Sequence, residues 1–582
     1  MSLVLFLLSF TFYLSGLSGT IPPYRDSGDL IASIHTLGIA HPPGYALYVL
    51  IGKLFVLLMP FGNIPYRVNV LSALFAAATA ALLFRLLLVA SRRCLMPQKE
   101  AALGATAVTL LFASSPAVIS LARVAEMYTL TAWLAVMILL CLSVEDTRGM
   151  SMAALFLGLG LSVHPTLIFL LPVFVAAYHR SYKYTPAVYF LMGLTIFLYL
   201  PIRASQHPPV NWGDPSHWRN FWRVVTRADY GGLKLHPEQS SFLWTAASAT
   251  AQIKDFVMTS AHEWGWAGLL VGAFGAFIGT KEASLRRWSI GLLVSWILSG
   301  PAFFLLSNLP LSEPTTPAIL QPYLLLAGVL WAPFVMFGFY AISSRSSRPL
   351  VLSLATVVFL VASRSWAWTS ERNDFYAYDY ARNLLRSLPR NAVLYEPDDP
   401  THFSIQVLQL VENRRRDIVL LNFFKTRWGY EQIRRSWPDL LPPIPIDNGQ
   451  ELLRLLWTYS ARKRPFYAEL PQKFTPVPYR AEGLVYAAQE RSGAPSREHA
   501  ETLLALYVQR GDFVTAHHPD YFTSHLISYY AAAQNNLGIE YANAGDWRRA
   551  IMHYEAALQM EPGQPAARQN LTFALQKMPK LL

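Results

Sequence analysis

Long apolar runs separated by short basic loops fill the chain up to about residue 366; beyond it, polar and apolar positions mix as in an ordinary globular protein. A helix needs about 20 apolar residues to cross a bilayer. The runs at 2–20, 67–90, 101–119, 128–144, 186–201, 262–280, 288–307, 319–342 and 349–366 meet or approach that length. The run 151–178 is long for one crossing and is interrupted at Val163-His164-Pro165, so it predicts two short spans meeting at a turn near His164. The total is about 11 spans. The run 46–61 is short and broken by Gly52, Lys53 and Pro60, a pattern suited to helices lying along the membrane surface.

Past the apolar region the periodicity alternates. Residues 374–388 read as an amphipathic helix, 392–395 as a short strand, 401–412 as a helix and 417–421 as a buried strand, which together predict a small α/β layer. The turn Glu396-Pro-Asp-Asp-Pro follows a strand end, a common ligand position in open sheets, and turn chemistry explains it equally well. Near the C-terminus, Leu537, Gly538, Tyr541, Gly545, Ala550, Tyr554, Ala557 and Pro562 fall at the spacings of one tetratricopeptide unit over 531–564, with 566–575 as its capping helix. Such a unit rarely stands alone, and 483–531 is where degenerate partners would lie. The expected fold is a mainly α polytopic membrane domain (1–370), a soluble α/β domain (371–480) and a helical region with a tetratricopeptide repeat (481–582).

Composition agrees with this division. Only 14% of residues are charged, against about 25% in soluble chains. The net charge of +12 does not indicate nucleic acid, because much of the Lys and Arg lies in short loops between spans. With the N-terminus inside, Arg92, Arg93, Lys99, Arg148, Arg180, Lys183, Lys281, Arg286, Arg287, Arg345 and Arg348 all fall on the cytoplasmic side, as the positive-inside bias requires. Dropping the first span or merging 151–178 would scatter them. The small residues after the first run would also suit signal cleavage, but the charge pattern favours an uncleaved anchor. The long segments 21–66, 120–127, 202–261, 308–318 and everything after 366 then face outward. Cys94 and Cys141 make neither a disulfide framework nor a thiolate metal site.

The acidic pair Asp26 and Asp29 follows the first span directly, and carboxylates at a membrane boundary tend to mark a working site. Leu30, Ile31, Ile34 and Leu37 continue at helical spacing, so one reading is a helix cap. The other is a general base beside an orienting carboxylate; a rigid helix start accommodates both. His35 and His41 lack the convergent partners of a metal site, and His41 reads as a turn residue. Arg123 and Glu126, three apart, either pair on a helix or meet substrate; His164 lies at a comparable outer position. Arg203, Asn211, Trp212 and Asp214 precede a stretch of Trp, Arg and Tyr that suits either an aromatic belt or a grip on phosphate and sugar.

The segments Asp26-Ser-Gly-Asp, Leu37-Gly-Ile-Ala-His-Pro-Pro-Gly-Tyr, Pro60-Phe-Gly-Asn, Tyr66-Arg-Val-Asn, Ala125-Glu-Met-Tyr-Thr-Leu and Asn211-Trp-Gly-Asp-Pro together resemble a membrane family whose animal member is an endoplasmic-reticulum protein O-mannosyltransferase. The resemblance covers roughly 20–230 with good motifs and 372–435 more loosely. It implies a GT-C type glycosyltransferase with a polyprenyl-phosphate sugar donor, Asp26 at the catalytic carboxylate position and Asp29 at an acidic position usually held by Glu. Bacterial members often end in tetratricopeptide repeats, which here would contact an acceptor protein. The turn at 396–403 departs from the family's Gly-Asp-Asn-Asp-Thr-Phe type. Arg203 and Arg123 would neutralise the leaving phosphate, so no cofactor is expected, while a metal held by Asp26 and Glu126 stays open. A transporter or flippase, a transferase acting on an envelope glycan or lipid, and a scaffold are the alternatives; no inverted repeat favours transport.

Overall fold

The computed structural model describes residues 1–24, 26–179, 184–231, 244–343, 371–395, 398–422, 426–441, 463–470, 479–488, 497–518 and 520–578. The expected span 349–366, the basic residues Arg180, Lys183, Arg345 and Arg348, and Glu396 with Pro397 lie outside the described residues. Backbone packing divides the chain into two compact units. The first is Met1–Ser18 with Leu37–Arg372, and the second is Gly19–Thr36 with Asn373–Leu582.

Helices α1 (Ser2–Ser15) and α2 (Ser27–Thr36) open the chain, and α2 belongs to the second unit. The first unit continues through α3 (Ala46–Leu58), α4 (Ile64–Arg93), α5 (Gln98–Ala113), α6 (Pro116–Ala122), α7 (Tyr128–Leu142) and α8 (Thr147–Leu161). Then come α9 (Leu171–Ala177), α10 (Thr185–Leu194), α11 (Tyr199–Ala204), α12 (Trp218–Val225) and α13 (Ala246–Lys281). Helices α14 (Arg286–Ser299), α15 (Pro301–Ser307), α16 (Thr316–Leu320) and α17 (Leu324–Ser343) close it.

Four helical stretches among the described residues are long and apolar enough to cross a membrane: Ile64–Arg93, Thr185–Ala204, Arg286–Ser307 and Thr316–Ile342. The pair α5 and α6 makes a fifth, bent by 62° where Ser114 and Ser115 precede Pro116. The expected spans at 2–20, 128–144 and 151–178 are shorter apolar helices, because polar or glycine breaks end them early, while the expected span 262–280 lies within the 36-residue α13. Thus α1 stops before Gly16, and the run 151–178 breaks at Ser162–His164 into α8, a 3-10 turn over Pro165–Leu170 and α9. Helix α13 turns at Gly265, whose φ of 68° is open to glycine.

Inside an apolar unit, helices must approach closely or leave voids. Helices α13 and α17 cross where Gly275 meets the Phe334 carbonyl and Gly338 meets the Val271 carbonyl, with no room for a Cβ on either glycine. Gly158 and Gly193 serve α8 and α10 in the same way. These are the small-residue contacts that let backbones touch in lipid. The break at α6 is stabilised by Glu263 of α13, whose carboxylate oxygens accept from the Ala117 N–H at 3.1 and 3.3 Å. A carboxylate at a helix start meets both the orphan donors and the positive dipole end.

The second unit adds α18 (Tyr376–Ser387), α19 (Asp399–Leu410), α20 (Arg427–Ser436), α21 (Arg497–Leu506), α22 (Tyr521–Asn543), α23 (Trp547–Met560) and α24 (Pro565–Lys577). Its sheet contains β1 (Val393–Tyr395), β2 (Val419–Leu421), β3 (Phe466–Ala468), β4 (Tyr479–Glu482) and β5 (Val485–Ala488), in the order β2-β1-β3-β5-β4. Strands β2, β1 and β3 run parallel, and β5 and β4 add antiparallel pairs. Val393, Tyr395, Val419, Leu421, Phe466 and Ala468 alternate onto one face and pack with Tyr430 and Ile433 of α20. The sheet reaches Ala488. The first repeat helix expected from 531 is the second half of the 23-residue α22. Its Gly538 packs on Tyr554 of α23, and Leu537, Tyr541, Ala550, Tyr554 and Ala574 form one core.

Glu469 follows β3 and is 2% exposed. Its Oε1 accepts from the Tyr380 and Thr401 hydroxyls, each at 2.6 Å, and its Oε2 accepts from the Asp398 N–H at 2.7 Å. Burial pushes the carboxyl up to about 7 against the pull of these three hydrogen bonds, with the Asp398 charge adding to the rise.

Two outcomes are expected. A Gly275→Ala protein forces a methyl into the Phe334 carbonyl and loses about 1–3 kcal/mol or more, read as a lower melting temperature in detergent; an unchanged melt contradicts the tight crossing. For Glu469, the unfolded chain releases its proton near 4.5 and the folded unit near 7, so its contribution to stability falls by about 3 kcal/mol as pH rises through that window. Buried His402, pushed down to about 4, contributes in the opposite sense between 4 and 6.5. The stability difference between wild type and Glu469→Gln should therefore move about 3 kcal/mol in the variant's favour from pH 4.5 to 7. Urea unfolding with pulse proteolysis at the two pH values checks it, and a constant difference refutes it.

Candidate functional site

Two of the ten candidate residues, Asp26 and Asp29, sit in the second unit. The Ser27 N–H donates to the Tyr24 carbonyl at 3.2 Å, and the Leu30 N–H donates to the Asp26 carbonyl at 3.0 Å. Asp26 is therefore the residue from which α2 starts, and Asp29 occupies its first turn. Both residues lie at the positive end of the helix dipole. Leu30, Ile31 and Ile34 are fully buried on the helix, and so is Asp29. Leu37 does not extend the helix as its spacing suggests. It takes φ 50°, a left-handed conformation that ends the helix after Thr36.

The position of α2 within its unit comes from close packing on α19. A Cβ on Gly28 would lie 2.8 Å from the backbone C and O and from the Cβ of Phe403, so only glycine fits this approach. One turn earlier, the Tyr24 ring packs on Phe522 of α22 with centroids 5.5 Å apart.

The other candidates lie in the first unit, where one cluster forms around the His-Pro-Pro-Gly turn. The His41 ring meets Tyr45 through Oη···Nε2 at 3.0 Å and faces Trp212 edge-on at 6.1 Å. Gly44 has φ 92° and packs against Leu200. Ile39 forms an isolated parallel bridge with Asn211, its N–H donating to Val210 O at 2.8 Å and its carbonyl accepting from the Trp212 N–H at 3.2 Å. Arg203 Nε donates to Leu37 O at 2.8 Å, Tyr199 Oη donates to Gly38 O at 2.8 Å, and Arg203 also reaches Gln206. Asn211 Nδ2 donates to Asp214 Oδ1 at 3.1 Å, closing the Asn-Trp-Gly-Asp turn. The structure thus gathers His41, Arg203, Asn211, Trp212 and Asp214 into one framework, in which Arg203 braces backbone.

His164 stands in a separate aromatic group, its ring 5.2 Å from Tyr128 and 5.8 Å from Tyr323. Its Nδ1 accepts from the Thr166 N–H at 3.3 Å and meets the Thr166 hydroxyl at 2.7 Å. Pairing of Arg123 and Glu126 along a helix is not what the structure shows. Helix α6 ends at Ala122 and α7 begins at Tyr128, so both residues lie in the intervening break. Arg123 is buried against α1, its guanidinium 5.4 Å from the Phe12 ring centroid and packed on Gly16. The Glu126 N–H donates to Ser72 Oγ at 3.3 Å, and that hydroxyl donates back to Glu126 O at 3.2 Å. Buried charge at such breaks is costly and tends to be functional.

Sequence reasoning missed Tyr45, Tyr199, Ser72, Tyr128 and Tyr323. Tyr45 follows the conspicuous His-Pro-Pro-Gly and could have been read as a partner to His41 four residues earlier, and Tyr128 lies in the Ala125-Glu-Met-Tyr-Thr-Leu segment; Tyr199, Ser72 and Tyr323 carry no local signal. Among the described residues, no three His, Cys, Asp or Glu side chains converge as a metal cluster. Chemically, the start of α2 offers one partly exposed carboxylate, Asp26, suited to proton abstraction, beside buried Asp29, and the first unit offers cationic, amide and aromatic groups suited to binding.

Residues 26–187 match the model of the protein O-mannosyl-transferase TMEM260 N-terminal domain. The mouse protein O-mannosyl-transferase TMEM260 is 26% identical over 451 residues, which is 72% of this chain and 62% of the relative. The Dictyostelium discoideum protein O-mannosyl-transferase tmem260 is 22% identical over 71% of this chain and 56% of its own length. The chain therefore spans about three fifths of the relatives it matches. Among solved structures, the Archaeoglobus fulgidus oligosaccharyltransferase complexed with Zn and sulfate aligns with a TM-score of 0.40 at 11% identity, covering 72% of this chain and 62% of that one. The archaeal oligosaccharyltransferase AglB from the same organism, with an inhibitory peptide and a dolichol-phosphate, aligns at 0.42 and 10%, covering 80% and 69%.

The turn that carries Trp212 gives its own test. Gly213 has φ 68° and its Cα faces the Val224 side chain too closely for a Cβ. Gly213→Ala should cost about 1–3 kcal/mol and lower the melting temperature in detergent, whereas Asp214→Asn, which keeps the backbone, should lower it far less.

Proposed function

We propose that this chain is a membrane glycosyltransferase of the GT-C type, moving a hexose from a polyprenyl-phosphate carrier to a Ser or Thr hydroxyl of an extracytoplasmic protein, with mannose the first candidate. The observation that carries this reading is a coincidence: the family match begins at Asp26, the residue from which the carboxylate-bearing helix α2 starts. Likeness to named O-mannosyl-transferases over 72% of the chain supports the choice of sugar and acceptor.

In the proposed reaction, Asp26 takes the proton of the acceptor hydroxyl as its oxygen attacks the anomeric carbon. The bond from that carbon to the phosphate oxygen breaks, the lipid phosphate leaves with the electron pair, and configuration inverts. Asp29 orients the base or the acceptor. Arg203 and Arg123 are assigned the developing phosphate charge, where electrostatic stabilisation is greatest. His41, Glu126, His164, Asn211, Trp212 and Asp214 are assigned to substrate binding. The positive-inside pattern supports about 11 spans in a bacterial cytoplasmic membrane, with a cytoplasmic N-terminus. An outward site has no supply of cytosolic nucleotide sugars, which favours a flipped lipid-phosphate donor. The hairpins of α22, α23 and α24 would hold acceptor protein as tetratricopeptide repeats do.

The test is transfer in detergent or nanodiscs from polyprenyl-phosphate mannose to Ser/Thr peptides, read by intact mass. Asp26→Asn should lower kcat by about a hundredfold or more, with melting temperature retained. Full activity in that variant would remove Asp26 as the base, and absence of any glycoside from wild type would remove the reading.

A further inference from the structure

Helix α2 packs into the second unit with residues 373–582, and defined contacts seat it there. Gly28 lies on Phe403, in the second turn of α19. The N-terminus of α19 is tied to the sheet by Glu469, which accepts from the Asp398 N–H, the Thr401 hydroxyl and the Tyr380 hydroxyl. Asp398 is also the residue that caps α19, its Oδ1 accepting from the Asp399 N–H at 2.9 Å. Its Oδ2 pairs with His525 Nε2 at 2.9 Å, and Tyr529 Oη reaches the same nitrogen at 3.2 Å. His525 lies one turn along α22 from Phe522, on which Tyr24 packs.

Two independent routes therefore run from one knot, built around buried Glu469 with Asp398 and His525 partly exposed, to the two ends of the segment carrying Asp26. One goes through α19 to Gly28, and the other through α22 to Tyr24. The knot sits in a definite place in the fold. From β1 the chain goes to β2 on one side, and then returns to β3 on the other. The crevice between the carboxyl ends of β1 and β3 is where open parallel sheets place their functional groups, and Asp398 and Glu469 follow those two strand ends. A fully buried carboxylate with three donors is costly to assemble and rigid once assembled.

We propose that Glu469, Asp398 and His525 are positioning residues for the acidic helix, so that the C-terminal unit sets the pose of Asp26 and Asp29. As a role in catalysis, this rests on the transferase reading; as a statement about the pose of α2, it does not. A helix whose side chains must meet a reacting hydroxyl to within about 1 Å loses rate steeply when its support slackens.

The experiment uses the full chain in nanodiscs and reads hydrogen–deuterium exchange over 19–36, independent of activity. Glu469→Gln keeps the side-chain shape and replaces one acceptor oxygen by a donor. It should raise exchange in 19–36 by about tenfold while 547–577 stays at the wild-type rate. Gly28→Ala, which leaves the knot intact, should raise exchange in 19–36 and leave the β3 segment 466–469 unchanged. Leu421→Ala removes core volume from edge strand β2 and serves as the comparison for general destabilisation. If Glu469→Gln and Leu421→Ala give the same exchange pattern, or if 19–36 stays protected in Glu469→Gln, the proposal is overturned. Where transfer is measurable, Glu469→Gln and His525→Ala should lower kcat by about tenfold to a hundredfold with acceptor KM within about threefold of wild type; a loss confined to KM would overturn the catalytic side. Absence of transfer in wild type counts against the transferase reading alone, because the exchange arms still decide the pose.

Discussion

The placement of the acidic helix in the second unit depends on the contact of Gly28 with the Phe403 backbone. A helix bearing two carboxylates in and before its first turn has little reason to bury itself. It does so because Leu30, Ile31 and Ile34 give it an apolar face, and because one residue without a side chain lets it approach α19. The burial of Asp29 follows from that approach. Whatever chemistry the carboxylates perform, their orientation is inherited from α19, and α19 in turn is held at its N-terminus by the carboxyl ends of the sheet.

The first unit meets a different demand. In lipid every backbone group needs an internal partner, so each interruption of a helix has to be compensated locally. The α5–α6 bend is compensated by Glu263 on the Ala117 N–H, and the break after α8 by His164 accepting from the Thr166 N–H. The break between α6 and α7 leaves Arg123 and Glu126 buried. Irregular backbone within such a bundle is tolerated where it builds a cavity or a site, and these breaks carry three of the candidate residues.

Much of this organisation was legible in the sequence, unevenly. The interruption at His164, the helix opening at Asp26, and the helices and strands between 376 and 421 lie where periodicity and breaker residues indicate. Strands β3, β4 and β5 were not read, because three- and four-residue strands such as Phe466–Ala468 carry too little alternation to stand out. The runs that form the short α1 and α7 read as full spans because hydropathy averages over a window and does not register where a helix ends. Arg203 drew attention as a phosphate ligand, and its hydrogen bond to the Leu37 carbonyl is invisible without the fold, since 166 residues separate the partners.

The chain alone therefore determined the apolar runs, the basic loops between them, the motif segments and the pair of carboxylates at a helix start, all of them local properties of spacing and composition. Only tertiary structure decided that residues 19–36 pack with residues 373–582, that Gly28 needs to lack a side chain, and that Glu469 ties Tyr380, Thr401 and Asp398 together. The physical reason is range. Periodicity and capping act over a few residues, whereas close approach and the satisfaction of a buried carboxylate depend on groups that meet only after the chain has folded.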